Sequence, residues 1–267
     1  MRPLSPRSVR ALTAFDGVVA PARDAATVVL LRDSAAGTEV FLLRRQSTMA
    51  FASGMHVFPG GGIHASDWGS ISWIGPAPER WAEAFRCSVP LARALVIAAV
   101  RETFEETGVL LAGPDAETTG TVADAGLLRT ALERHQVSLA EVLVDRGLHV
   151  RSDLLAPWAH WITPEFEPRR FDTRFFVAVL PEGQATGDTA GEADAADWHL
   201  LSDVVAGVRA GRLAMMPPTL HVCRQLDGAD LPGLLSLPWH RQIPTVAPRV
   251  VEVGGRPFFD TPSAAEF

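Results

Sequence analysis

Glu102, Glu105 and Glu106 follow Arg101 at positions that repeat every three to four residues. The stretch Ala94-Leu-Val-Ile-Ala-Ala-Val-Arg101-Glu102-Thr103-Phe104-Glu105-Glu106-Thr107-Gly108 reads as one helix stopped by a glycine. At about 100° per residue, Val96, Ile97, Val100 and Phe104 share a stripe, and the three carboxylates share a narrow arc opposite it. Like charges held that close repel unless a divalent cation or a shared proton offsets them. The chemistry of such an arc is that of an oxygen-ligated divalent metal. A solvated acidic face on a surface helix is the competing reading of the same residues.

Upstream stands Val57-Phe58-Pro59-Gly60-Gly61-Gly62-Ile63-His64-Ala65-Ser66-Asp67, a glycine run that can turn tightly and offer a carbonyl or amides to a metal or phosphate. Together with Arg101-Glu102-Thr-Phe-Glu105-Glu106-Thr-Gly108-Val109 it resembles the signature of the Nudix hydrolases, G-x5-E-x7-R-E-U-x-E-E-x-G-U, where U is a bulky aliphatic residue. The second half matches at every charged position and at its glycine. Asp67 stands where the pattern has Glu, and Thr103 where it has an aliphatic residue. Between Asp67 and Arg101 lie 33 residues, 68–100, where the family has seven, so an insertion of about 26 residues, roughly 68–93, interrupts the motif. A surface excursion between loop and helix closes at modest entropic cost.

The resemblance implies an α/β fold, an α/β/α sandwich around a mixed sheet, over residues 1–267 as a single domain, enlarged by the insertion and by a C-terminal extension from about 202. It implies Mg²⁺ or Mn²⁺, with Glu105 and Glu106 as metal ligands, Glu102 as ligand or general base, Arg101 orienting Glu102, and the Gly60 carbonyl as a further ligand. Asp67 is an additional candidate ligand or base. So is Glu192, or its neighbour Asp194, because Nudix proteins often carry an acid in the loop before a late strand. The interrupted motif, Phe58-Pro-Gly-Gly and Arg169-Arg-Phe-Asp-Thr-Arg-Phe-Phe are similar to the longer Nudix subfamily that includes a peroxisomal coenzyme A diphosphatase. The expected activity is hydrolysis of a nucleoside diphosphate linked to another moiety, coenzyme A or its acyl form. ADP-ribose or NADH pyrophosphatase is the alternative, and a non-catalytic nucleotide-binding regulator a second one. Phe41-Leu-Leu-Arg44-Arg45 lacks the threonine of the Leu-Leu-Thr-x-Arg run found in other coenzyme A-cleaving members. A carboxylate-bridged di-iron bundle would need Glu-x-x-His pairs, which are not evident.

Several elements must position these residues. Ala26 to Arg32 and Glu39 to Arg45, joined by Asp33-Ser-Ala-Ala-Gly37, suggest a hairpin leading to the glycines. Arg44 and Arg45 leave the second strand on opposite faces, and Arg44 is a candidate for a substrate phosphate. Within the insertion, Pro76 to Arg86 suggests a short helix with Trp81 and Phe85 at i, i+4, serving either as packing or as a lid. Ser88 is a candidate cap for the main helix. Residues 126–145 imply one or two helices, Arg170 to Leu180 a buried strand, and residues from 202 and around 217–226 two more helices. Arg169, Arg170 and Arg174 could hold a diphosphate or pair with Asp172 and Glu167. Pro244 to Phe259 suggests a strand-containing tail packed on the core.

Composition sets outer limits. A chain of 267 residues, 47% hydrophobic, is long enough for a sizeable core. Its net charge of −7 disfavours general nucleic-acid binding. All 24 basic residues are arginine, and tyrosine is absent. No apolar run approaches the ~20 residues of a membrane span. Cys87 and Cys223 show neither ligand spacing nor a disulfide framework, and the start of the chain lacks an apolar signal region. A cytoplasmic protein is expected, with a small-molecule partner, no nucleic acid and no membrane; a homodimer is compatible with all of this.

Overall fold

The run Ala25 to Leu31, apolar but for Thr27, marks a strand covered on both faces, and each of these side chains except Thr27 is buried. The computed structural model describes residues 2–46, 54–187, 193–235, 239 and 243–261. In chain order the first elements are β1 (Arg2–Pro3), α1 (Pro6–Ala14), β2 (Ala22–Ser34), β3 (Gly37–Arg45), β4 (His56–Val57) and β5 (Gly60–Gly62). A 3₁₀ turn, Ala65–Trp68, precedes β6 (Trp73–Ile74), α2 (Pro78–Phe85) and α3 (Val89–Thr107). Next come β7 (Ala112–Gly113), α4 (Ala125–Glu133), α5 (Leu139–Asp145), β8 (His149–Arg151), β9 (Ala156–Ile162) and β10 (Arg170–Val179). The last are β11 (Ala193–Leu200), α6 (Leu201–Arg209), α7 (Pro217–Leu226), α8 (Leu231–Leu234), β12 (Thr245–Val246), β13 (Arg249–Val253) and β14 (Arg256–Asp260).

The central sheet runs β11-β3-β2-β10-β9-β12, with β4 on β3 and β5 on β2. It is mixed, because β10 joins β2 and β12 joins β9 in parallel while the other pairs are antiparallel. Alternation splits its side chains between two cores. Ala26, Val28, Leu30, Phe41 and Phe176 face α2 and α3, whereas Val29, Leu31, Val40, Leu42 and Val177 face α6, α7 and α8. The result is the expected α/β/α sandwich.

The expected hairpin forms with a tight turn, Ser34 pairing with Gly37. Strand β9 is an element the sequence reading did not separate from its surroundings, since Pro157 and a bulge between Phe175 and Phe176 break the alternation there. The tail departs from expectation more clearly. Gly254 and Gly255, both at positive φ, turn β13 into β14, and β14 then pairs with β1 to make a separate three-stranded sheet.

The insertion is part of the core. Pro78 starts α2 and Arg86 ends it in the left-handed region, so the helix is one tight block. Trp81 and Phe85 are buried, stack on one another and contact Phe176 of β10 at 5.4 and 5.1 Å. A lid would carry its aromatics on an open surface; here they fill the space between α3 and the sheet. Trp81→Ala is expected to lower the free energy of unfolding by about 3–5 kcal/mol, as for other large-to-small core changes. Urea denaturation followed in the far and near UV measures it, and a loss under about 1 kcal/mol would show the insertion to be peripheral.

Candidate active site

Helix α3 carries the acidic arc, and local chemistry fixes both of its ends. The Ser88 hydroxyl accepts the Leu91 N–H, proline sits in the first turn, and Gly108 closes the last at φ +79. The helix does not have the one-sided burial expected of it. Ala92, Ala94, Ala98 and Ala99 are small enough for neighbours to close around it, and every residue from Ala94 to Glu105 is buried. The solvated-face reading of the acids therefore fails, since Glu102 is 7% and Glu105 6% exposed. Thr103, at an aliphatic position of the motif, satisfies its hydroxyl on the Ala99 carbonyl at 2.7 Å.

Arg101 lies at the centre, 2% exposed. Its guanidinium has five N–H donors, and the structure gives it five contacts. Nε donates to Asp67 Oδ1 at 3.0 Å, Nη2 to Asp67 Oδ2 and the Gly62 carbonyl at 2.9 Å each, and Nη1 to Glu102 Oε1 at 2.8 Å and Glu105 Oε2 at 3.0 Å. Burial opposes the charge on Arg101, but the bond to Asp67 and the charges of Glu102, Asp67 and Glu105 outweigh it and raise its pKa.

The glycines admit the carboxylates. Strand β5 lies antiparallel to β2, Gly61 opposite Ala26. A Cβ on Gly61 would collide with the Glu102 carboxylate, reaching its Cδ at 2.7 Å, and one on Gly60 would meet the Ala26 carbonyl at 2.5 Å. Gly61 is thus the cradle of Glu102. Gly60 joins the cluster through its N–H, which donates to Glu106 Oε2 at 2.8 Å; the motif had suggested its carbonyl.

Glu105 is an acid whose ionisation the site opposes. Burial pushes its carboxyl up to about 7, with Arg101 opposing and Glu102 and Asp67 reinforcing the rise. Its Oε1 is buried without a hydrogen-bond partner among the described residues. That orphaned oxygen and an all-oxygen donor set are what a hard divalent cation fits. The acids do not form a preformed cage: no three His, Cys, Asp or Glu side chains converge among the described residues. Two of them turn instead to Arg101 and the third to Gly60.

Asp67 lies behind Arg101 rather than beside the helix acids. It is 1% exposed, and both oxygens are bound by Arg101, Oδ2 also by the His64 N–H at 2.8 Å; its place is to hold Arg101. Arg174, on the α3 face opposite Ala26, is likewise committed, its Nη1 ion-paired with Asp24 at 2.7 Å and Asp172 at 2.8 Å. Asp172 in turn bonds His160 Nε2 at 2.5 Å. Arg170 donates to the Thr163 and Ala20 carbonyls, so of the two readings offered for these arginines the ion pair is seen at Arg174, while Arg170 is held on backbone carbonyls. Arg44 lies opposite His56 on the sheet face away from α3 and does not share the acidic cluster's side. Arg169 is exposed just before β10. Glu192 falls outside the described residues, and Asp194 is exposed on β11.

Arg129 escaped the sequence reading. It is buried and donates from Nε to the Glu105 carbonyl at 2.8 Å, a cation at the C-terminal turn of α3 where the helix dipole favours one. Its only signal was a charge within an apolar helical pattern.

A mixed-sheet α/β/α sandwich with a glycine strand facing an Arg-Glu-x-x-Glu-Glu helix is the architecture of the Nudix hydrolases. Residues 79–226 match the NUDT19 Nudix domain, and the chain belongs to that family. It is similar to the acyl-coenzyme A diphosphatase NUDT19 of Xenopus laevis, 26% identical over 70% of this chain and 59% of that protein. The human protein of the same name is 29% identical over 72% of this chain and 61% of its own. The chain thus spans about three fifths of the length of these relatives. A crystal structure of a NUDIX hydrolase from Alicyclobacillus acidocaldarius is 30% identical and superposes with a TM-score of 0.67, covering 82% of this chain and 97% of that one.

Glu105 yields a pH dependence. A folded-state pKa above the unfolded value means the native state binds that proton more tightly, so the associated stability is full below the ordinary glutamate range and is lost as pH rises through about 7. In the absence of divalent cation, Tm is expected to fall between about pH 5 and pH 8, and Glu105→Gln to flatten that slope. Mg²⁺ should flatten it as well. Equal slopes in the wild type and the variant would contradict the assignment.

Proposed function

We propose that the chain hydrolyses a nucleoside diphosphate joined to another moiety, with coenzyme A or acyl-coenzyme A as the substrate. The observation that carries the hydrolase reading is the buried Arg101 fixing Glu102 and Glu105 beside Gly61, with Glu106 held on Gly60. The names of the NUDT19 relatives support the choice of substrate.

Glu102, Glu105 and Glu106 would hold Mg²⁺ or Mn²⁺, with the Gly60 carbonyl as a further candidate. When bound, the ion neutralises the diphosphate and lowers the pKa of a water. The chain's own residues supply the rest. Arg101 keeps the carboxylates in register, the Gly61 cradle fixes Glu102, and Glu102 accepts the proton of the attacking water. Water oxygen bonds to one phosphorus as the bridging P–O bond breaks, and the bridging oxygen leaves with the other phosphate. Coenzyme A would give 3′,5′-ADP and 4′-phosphopantetheine. Among the four arginines considered for substrate phosphates, exposed Arg169 is the candidate that the observed pairing favours. Cys87 and Cys223 are free thiols, which supports a reducing compartment such as the cytoplasm.

Glu106→Gln removes one carboxylate charge and is expected to lower kcat by on the order of 10³ with the fold intact. Turnover unchanged in a folded, Mg²⁺-saturated variant would refute the site. Substrate choice is tested by kcat/KM for coenzyme A, its 3′-dephospho form, ADP-ribose and NADH, each with Mg²⁺ and with Mn²⁺, the products being identified by mass. Coenzyme A should lead. A lead by ADP-ribose or NADH would replace the substrate and leave the hydrolytic site standing.

A further inference from the structure

Two of the three helix acids sit where a helix is least secure. With Gly108 as its cap, α3 ends at Thr107, so Glu105 and Glu106 belong to its last turn. That turn carries carbonyls with no partner inside the helix, and helix ends fray. A metal site, by contrast, needs its ligands held to within about 0.5 Å. On the hydrolase reading of these acids, we propose that Gln184 is a positioning residue for the reaction: the loop 180–187, which follows β10, clasps the last turn of α3 and so fixes Glu105 and Glu106.

Gln184 meets the chain just past α3 as a neighbouring strand would. Its Oε1 accepts the Leu110 N–H at 2.8 Å, and its Nε2 donates to the Leu110 carbonyl at 2.9 Å and the Gly120 carbonyl at 3.3 Å. These partners fix which end of the amide faces which, since the reverse orientation would set oxygen against oxygen. Leu110 is 1% exposed, and buried main-chain groups left unpaired are costly. The side chain is therefore held in place by the groups it holds.

Three residues on, the loop reaches the helix itself. The Gly187 N–H donates to the Thr107 carbonyl at 2.8 Å, and a Cβ on Gly108 would stand 3.4 Å from the Gly187 nitrogen. Arg129 joins from α4. Its Nε holds the Glu105 carbonyl at 2.8 Å, and its Nη1 lies where a Cβ on Gly187 would meet it at 2.9 Å. The Phe104 carbonyl accepts the Gly108 N–H. Three of the last four carbonyls of α3 thus have a partner, one from the cap, one from α4 and one from the loop.

The clasp is anchored on the sheet. The Leu180 N–H continues the ladder onto the Leu31 carbonyl at 2.8 Å, and the Trp198 indole of β11 donates to the Thr186 hydroxyl at 3.2 Å. Loop and helix end are thereby tied to the sheet whose strand β5 carries Gly60 and Gly61. Packing alone accounts for apolar contacts; polar contacts that converge on one helical turn set its position.

The test compares Gln184→Ala, Arg129→Met and Arg129→Lys with the wild type in the full chain, by amide hydrogen exchange without metal and by Mn²⁺ titration followed by electron paramagnetic resonance. In Gln184→Ala and Arg129→Met, exchange of the amides at 104–110 should quicken by roughly tenfold or more while those of β2 and β3 stay protected. Mn²⁺ affinity should fall by roughly tenfold, the lower end for changes behind a metal ligand. Arg129→Lys keeps a donor for the Glu105 carbonyl and should recover part of both. Wild-type exchange at 104–110 or wild-type Mn²⁺ affinity in Gln184→Ala would overturn the proposal, and so would loss of protection throughout the chain, which would show Gln184 to hold the fold rather than the turn. Failure of the hydrolase reading shows elsewhere, as a wild type that cleaves no diphosphate; the exchange and Mn²⁺ readouts do not depend on turnover.

Discussion

A guanidinium buried at the centre of the molecule constrains everything around it. Arg101 cannot give up its proton, so removing it from water is tolerable only when its donors are satisfied. Asp67, Glu102, Glu105 and the Gly62 carbonyl satisfy them. Buried ion pairs of this kind are poor stabilisers compared with apolar residues of similar volume, and losing one partner costs about 3–5 kcal/mol. The charge count is also unbalanced, with three acids against one cation. Burial, reinforced by Glu102 and Asp67, raises the Glu105 pKa to about 7, and a divalent ion is the natural complement of the excess acid.

The fold serves that centre. Alanines let α3 lie enclosed between the sheet and α2, glycines bring β5 against Glu102, and Arg129 fixes the turn that carries Glu105. The insertion closes around the same helix through Trp81 and Phe85 and has become part of its core. Its length is therefore no measure of its mobility.

Much of this was legible in the sequence because it depends on short offsets. The spacing of Arg101, Glu102, Glu105 and Glu106, the capping pair Ser88 and Gly108, and the hairpin of β2 and β3 are local signals, and the structure repeats them. What was not legible depends on long-range pairing. Asp67 meets Arg101 across 34 positions only because the insertion returns to its origin. Arg174 meets Asp24 across 150 positions through the parallel register of β10 and β2, which no local pattern encodes, so the sequence left its ion pairing and a phosphate role as open alternatives. The alanines of α3 misled in another way: a small residue fits a surface or a core equally well, and only the neighbours decide.

The central claim is that Asp67, through Arg101, sets the geometry of carboxylates that it does not itself touch. Mn²⁺ titration of Asp67→Asn, followed by electron paramagnetic resonance on protein with native near-UV dichroism, tests this most directly. The account predicts Mn²⁺ binding weaker by roughly 10–100-fold, as for other residues that orient metal ligands from behind. An unchanged Mn²⁺ affinity in the folded variant would contradict it.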